Sequence, residues 1–253
     1  MHIRFDGKSV LVTGASTGIG AATALAFGAA GAAVAVNYLN SAEAAGRVVE
    51  TIEAKKGRAI AVRADVSRAE EVRRLVDSAV EQFGAIDILV NNAGSLIQRS
   101  SLLELEEEVW DRVMALNIKS VYLCTRTVLP LMAARSNGNI VNVTSIAARS
   151  GGGPGAGHYA AAKAAVATLT RNLAREFAGS GIRINAVAPG VIATPFHDRF
   201  SPPEVRQGFL RTIPLKREGT PEEVAHAILF LASEFASYII GETIEINGGM
   251  LMD

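Results

Sequence analysis

Short runs of consecutive apolar residues recur along the chain. They alternate with longer stretches in which apolar residues return every three or four positions. The short runs are residues 9–13, 33–37, 59–63, 86–91, 139–144, 183–188 and 243–246. Most are apolar without interruption, the pattern of strands covered on both faces of a parallel sheet. The longer stretches, 19–30, 42–56, 69–83, 106–134, 159–178 and 222–232, read as helices. Thr220 before Pro221 gives the last of them an N-cap followed by a proline suited to the first helical position. Regular strand–helix alternation predicts right-handed crossovers and an α/β, Rossmann-type doubly wound parallel sheet of about seven strands flanked by helices. No linker or repeat divides residues 1–253, so one domain is expected. Residues 190–215 break the alternation with Pro195, Pro202, Pro203 and Pro214. A long insertion late in such a fold suggests a lid over a ligand.

Charge removes some functions from consideration. The 25 basic and 25 acidic side chains cancel, and a nucleic-acid binder normally carries a basic face. No Lys/Arg run exceeds two residues, which speaks against a polybasic membrane anchor. Apolar runs fall short of the roughly 20 residues a bilayer span needs, and residues 1–10 hold no continuous apolar stretch of the signal-peptide kind. A single cysteine, Cys124, cannot form an internal disulfide, which suits a reducing cytoplasm, and it reads as a small packing residue. His2, His158, His197 and His226 lack metal-ligand spacing, so no metal site is expected. His226 is expected at the edge of the core, and His197 is a candidate substrate contact in the lid. The sequon at Asn142–Thr144 falls in a predicted buried strand, and the acidic run 104–108 reads as a solvated helix start.

Chemistry first appears after the first strand, in T-G-A-S-T-G-I-G at Thr13–Gly20, leading into a helix. Glycines there let the backbone approach a pyrophosphate seated on the helix N-terminus. Their spacing, Gly14, Gly18 and Gly20, departs from G-x-G-x-x-G. At the end of the second strand Asn37 stands where a carboxylate would bind the ribose 2′-hydroxyl. An uncharged residue there does not repel a 2′-phosphate, and Asn40 or Ser41 can cap the next helix, whose amides could receive that phosphate. Residues 37–46 contain no Arg or Lys, and Thr17 sits where a basic residue would help. The balance favours NADP(H) over NAD(H).

Tyr159 and Lys163 lie four residues apart in a helical stretch and therefore share one face. Ser145 ends the fifth strand, fourteen residues before Tyr159, across a loop holding Gly151, Gly152, Gly153, Gly155 and Gly157. The set suits carbonyl reduction and its reverse. A phenol titrating near 10 must move towards 7 to exchange a proton at working pH, a shift of roughly 4 kcal/mol. A nearby ammonium favours the phenolate, and Ser145 can hydrogen-bond the substrate oxygen as charge develops there.

These motifs, in this order, resemble the short-chain dehydrogenase/reductase family over the whole length. The resemblance rests on T-G-A-S-T-G-I-G, D-V at Asp65–Val66, N-N-A-G at Asn91–Gly94, Asn117, Ser145, Y-A-A-A-K at Tyr159–Lys163 and N-A-V-A-P-G at Asn185–Gly190. It implies Tyr159 as general acid/base and Lys163 as the group that binds the nicotinamide ribose and lowers the tyrosine's pKa. Ser145 would orient the substrate, and Asn117 would hold a water relaying protons to Lys163. Cofactor contacts are implied at Gly14, Ser16, Thr17, Gly18, Ile19, Gly20, Asn37, Tyr38, Ser41, Asp65, Val66, Asn91, Ala93 and Gly94. Others are Tyr159, Lys163, Pro189, Gly190, Ile192 and Thr194. The nearest resemblance within the family is to 3-oxoacyl-[acyl-carrier-protein] reductases and to sugar or polyol dehydrogenases. It implies a small carbonyl or alcohol substrate and a homotetramer built through the long helices 106–134 and 159–178 and the C-terminal strand. Arg99 and Arg149 flank the expected cleft and read as solvated surface charge. A dinucleotide-binding regulator without catalysis is the rival reading, and the complete catalytic set argues against it.

Overall fold

The computed structural model describes residues 3–252, which leaves His2 outside it. Its strands are β1 (Ser9–Val12), β2 (Ala33–Tyr38), β3 (Arg58–Arg63), β4 (Ile88–Asn91), β5 (Gly138–Val143), β6 (Ile182–Pro189) and β7 (Thr243–Ile246). They form one parallel sheet in the order β3-β2-β1-β4-β5-β6-β7. The helices are α1 (Gly18–Ala29), α2 (Ala42–Ala54), α3 (Ala69–Phe83), α4 (Glu107–Met114), α5 (Ser120–Ala133), α6 (Ala147–Ser150) and α7 (Gly157–Phe177). After them come α8 (Pro195–Phe200), α9 (Pro203–Thr212) and α10 (Pro221–Ala232).

Successive side chains of a strand point to opposite faces, and here both faces are core. Val10 and Val12 join Phe27 of α1, Ile52 of α2 and Ile228 of α10 in one cluster. Leu11 between them packs instead with Leu75 of α3 and Val128 and Met132 of α5. Every residue of β1, β4 and β5 is buried. The outer strands β3 and β7 depart from that expectation, because each has only one neighbour and is partly exposed. Cys124 lies wholly within the second cluster, where burial pushes its thiol up to about 12.

The order in which strands are added reverses between β1 and β4: β2 and β3 build outward on one side, and β5, β6 and β7 on the other. In open α/β sheets that switch point opens a crevice at the carboxyl ends of the strands. Thr13, just past β1, bridges it: its hydroxyl donates to Val90 O at 3.3 Å and accepts from the amides of Asn92 at 3.0 Å and Ala93 at 3.1 Å.

The helix expected over 106–134 is interrupted by a π-turn at Ala115–Lys119 centred on Asn117. Such turns recur at functional sites and have no hydrophobic-period signature. The expected lid holds two short helices, α8 and α9, each begun by a proline at its first position. The N-cap predicted at Thr220 is present and closes a capping box not singled out from sequence, with Thr220 and Glu223 exchanging hydrogen bonds with each other's backbone. His226, expected at the core edge, is exposed on the outer side of α10. Among the described residues no helix is long and apolar enough to cross a membrane, and no three His, Cys, Asp or Glu side chains gather as a metal site.

Candidate active site

The turn between β1 and α1 needs glycine for two separate reasons. Gly14 and Gly18 have φ of 61° and 56°, the left-handed region. Gly20 has no room: a Cβ there would collide with Gly14 O and stand 2.5 Å from Asn92 Nδ2. Thr17 caps α1 without a side-chain hydrogen bond, and no acidic residue occupies the first turn. The first amides of α1 therefore face outward for an anion. This bare cradle fits the pyrophosphate of a dinucleotide, and Ser16, Thr17, Gly18 and Ile19 form its rim.

Asn37 does not offer its amide to the cleft as the sequence suggested. It is buried, its Oδ1 accepts from Gly14 N at 3.0 Å, and its Nδ2 donates to Ala64 O at 3.1 Å. Asn92, not singled out from sequence, holds the turn from the other side through Thr13 O at 2.9 Å and Gly14 O at 3.0 Å. Asn91 is likewise withdrawn, donating to Thr125 Oγ1 and Asn142 Oδ1 inside the sheet. Asp65 spends one carboxylate oxygen on the amide and hydroxyl of Ser67, and Val66 is buried beside it. Tyr38, the last residue of β2, packs partly buried against the first cluster, and exposed Ser41 caps α2 without a side-chain bond. A basic side chain on β3 stands beside this segment. Arg63 pairs in register with Tyr38, and its Nε donates to Leu39 O at 3.1 Å. Only the sheet register reveals that neighbour.

Asn117, Ser145, Tyr159 and Lys163 converge at the ends of β4 and β5. Lys163 is buried, with Nζ donating to Val143 O at 2.8 Å and lying 5.7 Å from the centre of the Tyr159 ring. Thr144 Oγ1 donates to Lys163 O at 2.7 Å and fixes α7 against β5. Ser145 hydrogen-bonds the Tyr159 phenol. Asn117 grips Ser95 by both its groups, accepting from Ser95 N at 3.2 Å and donating to Ser95 O at 2.8 Å. Gly94 lies between these groups: a Cβ there would stand 2.7 Å from Asn117 Oδ1 and 3.0 Å from Lys163 Nζ. Ala93, beside it, packs at the edge of the second cluster.

Burial opposes charge at both titrating groups. It pushes Tyr159 up to about 12, against the opposing hydrogen bond from Ser145, and pulls Lys163 down to about 8. The sequence argument for a phenol drawn towards 7 by its lysine is thus not met by the protein groups themselves. Lys163 turns its ammonium to a carbonyl, and desolvation outweighs its pull on the phenol. Tyr159 is protonated at neutral pH and suited to giving a proton.

The lid reaches both parts of the cleft. Thr194 touches the phosphate turn, its Cγ2 lying 3.4 Å from where a Cβ on Gly18 would be. Gly190 is pressed against Asn247, and Pro189 O accepts from Ile146 N at 2.9 Å. Buried Ile192 anchors this segment in the first cluster. The Phe196 ring packs tilted against Tyr159 at 5.6 Å and edge-on against Phe200 at 5.0 Å. His197 faces Ser201 Oγ at 2.9 Å and the Phe196 and Phe209 rings, all within the lid. Arg149 lies 3.5 Å from Glu245. Arg99 differs from the expected solvated charge: its guanidinium donates to Phe200 O at 2.7 Å and Pro154 O at 2.9 Å.

A family model described as Enoyl-(Acyl carrier protein) reductase matches residues 14–251. A 3-oxoacyl-[acyl-carrier-protein] reductase of Synechocystis sp. is 47% identical over 243 residues, 96% of each chain. The reductase of that name from Thermotoga maritima is 43% identical over 251 residues, 99% of this chain and 100% of the relative. Among solved structures, a 7α-hydroxysteroid dehydrogenase complexed with NADH and 7-oxo glycochenodeoxycholic acid superposes with a TM-score of 0.94. It is 36% identical and the match covers 100% of this chain and 97% of that one. An NADH-dependent reductase responsible for alginate metabolism superposes with a TM-score of 0.90 at 37% identity, covering 98% of each chain.

Proposed function

We propose a specific reaction from the premise that this chain belongs to the short-chain dehydrogenase/reductase family and is an NAD(P)-dependent oxidoreductase acting on carbonyl and hydroxyl groups. The reaction is reduction of a ketone to a secondary alcohol, with NADP(H) preferred and a 3-oxoacyl thioester as substrate. The convergence of Ser145, Tyr159, Lys163 and Asn117 on one end of the sheet carries this reading.

Bound NADP(H) supplies hydride to the carbonyl carbon. Tyr159 gives its phenolic proton to the carbonyl oxygen, which becomes the hydroxyl. Ser145 donates a hydrogen bond to that oxygen as charge grows on it. Lys163 stabilises the phenolate left behind and binds the nicotinamide ribose. Asn117 sets Ser95 and Gly94 at the rim, and the phenolate regains its proton from Lys163, which a water held at Asn117 would reprotonate from solvent. A phenol that carries its proton at neutral pH can act as the general acid of the reduction.

The preference for NADP(H) is supported by the missing carboxylate at Asn37 and by Arg63 beside the Leu39 carbonyl. The apolar neighbours of Tyr159, which include Leu96, Phe196 and Phe200, support an acyl substrate over a polyhydroxylated one. Residues 190–215 act as the substrate lid. Part-exposed Tyr122 and Leu131 on α5 support a homotetramer formed through α5, α7 and β7, and the lone cysteine supports a cytoplasmic setting.

A 340 nm assay with acetoacetyl thioesters, sugars, polyols and steroids, run with each cofactor, tests the reading. The thioester with NADPH is expected to give the highest kcat/KM, and Tyr159→Phe to lower turnover by about 10²- to 10⁴-fold. A Phe variant with near-normal turnover would overturn the mechanism.

A further inference from the structure

The segment after β4 contains a strained turn whose support comes from an unexpected residue. Ile97 has φ +63°, and it is the only β-branched residue in the left-handed region among the described residues. That conformation is costly for a branched side chain and persists only when its surroundings over-determine it. Gln98 N donates to Leu96 O at 2.7 Å, closing a three-residue turn around Ile97. Ile97 N donates to Ser95 Oγ at 3.0 Å, and Ser95 is the residue gripped by Asn117.

The other side of the turn is held by His158. Its Nε2 lies 3.3 Å from Leu96 O and 3.1 Å from Gln98 O, and the ring is buried. Two carbonyl oxygens only accept, so Nε2 carries a hydrogen shared between them. His158 is the residue before Tyr159 on the first turn of α7. The bond therefore links the position of the phenol to the position of Leu96. Leu96 is buried in a small apolar cluster with Ala156 and Phe200, against which Tyr159 and Phe196 pack. Arg99 extends the tie to the lid through Phe200 O and to the glycine loop through Pro154 O.

We propose that His158 is a positioning residue that fixes the strained Ile97 turn, and so seats buried Leu96 as the backing of Tyr159 and Phe196, the part-buried apolar wall that receives the substituent next to the reacting carbonyl. This deepens the reductase reading and rests on it. The site takes a ketone carrying an acyl chain or another apolar group, and the wall acts on its binding more than on the chemical step.

The test compares His158→Leu, Ile97→Gly and the double variant. In His158→Leu the KM for a 3-oxoacyl thioester is expected to rise about tenfold with kcat within about threefold, since Gln98 O loses its side-chain donor and Leu96 O keeps only the Gln98 amide. Adding Ile97→Gly is expected to recover most of that loss, because glycine adopts the turn without strain and needs no clamp. Hydrogen exchange of the Gln98 amide, followed by NMR, reads the clasp without turnover, and His158→Leu is expected to speed it. A His158→Leu variant with unchanged KM and unchanged exchange overturns the proposal. So does a loss confined to kcat, or a double variant no better than the single. If the wild type reduces no ketone while His158→Leu still speeds exchange, the clasp stands and the reductase reading fails. If exchange is unaltered, the clasp itself is wrong.

Discussion

The cofactor side of the cleft and its substrate side are held together by different means. Around the phosphate turn, short side chains from adjoining strands do the holding. Asn37 and Asn92 bond the backbone of Gly14, and Thr13 joins the ends of β1 and β4. On the substrate side, loops that no ladder connects are tied by longer side chains across large sequence distances. Arg99 reaches Phe200, 101 positions away, and His158 reaches Leu96, 62 positions away. The first arrangement is an extension of the sheet and shares its rigidity. The second is a set of clasps that can be changed one at a time without disturbing the core. A fold can thus keep one cofactor while its substrate pocket diverges.

Four experiments test that contrast, beginning with the largest expected effect. Lys163 sits at the seam, and its buried amine titrates near 8 against 10.5 for the free side chain. Between those values the unfolded chain holds the proton and the native chain has released it, so stability rises with pH across that window. The difference in unfolding free energy between wild type and Lys163→Met is expected to grow in favour of the wild type by up to about 3 kcal/mol from pH 8 to 10.5. Denaturant titrations at several pH values measure it, and a flat difference would mean the amine is not desolvated. Next, Gly94→Ala pushes a methyl between Asn117 and Lys163. Displacements of about 1 Å can cost about 10²-fold in rate, so kcat/KM is expected to fall by that factor in steady-state assays.

The contrast itself is sharpened by a pair of variants. Asn92→Ala strands two turn carbonyls and is expected to cost about 1–3 kcal/mol of stability, together with weaker cofactor binding in fluorescence titrations. Arg99→Ala is expected to raise substrate KM several-fold and leave cofactor affinity alone. If both variants affected the same constant, the division into two halves would be wrong. The last test concerns exposed Arg63. Arg63→Ala is expected to weaken NADPH about tenfold, roughly 1.4 kcal/mol, and to leave NADH unchanged.

The division also explains what could be read from the sequence. Strand positions, the glycine turn and the Tyr159–Lys163 pair are local, and local patterns carry them. Apolar runs announced the buried strands, and the offset of four placed both side chains on one face of α7. Asn37 was placed correctly at the end of β2, but its side-chain direction depends on Ala64, which lies on the connection after β3. Arg63 became a neighbour of Leu39 only through pairing of β2 with β3. The π-turn at Asn117 has no periodic signature, because one extra residue in a helix barely alters the apolar spacing. Arg99 and His158 looked like a surface charge and an idle histidine. Their partners are backbone carbonyls, which carry no side-chain identity for a pattern to detect.

The solitary thiol has a practical consequence. Cys124 is the only cysteine in the chain, it is enclosed, and burial keeps it in the unreactive protonated form. The native molecule is therefore already a silent background for thiol-directed dyes and spin labels. A cysteine introduced at exposed Val205 on α9, paired with another at exposed Leu103 in the segment after β4, would report the distance between those two segments, with no native cysteine to remove first.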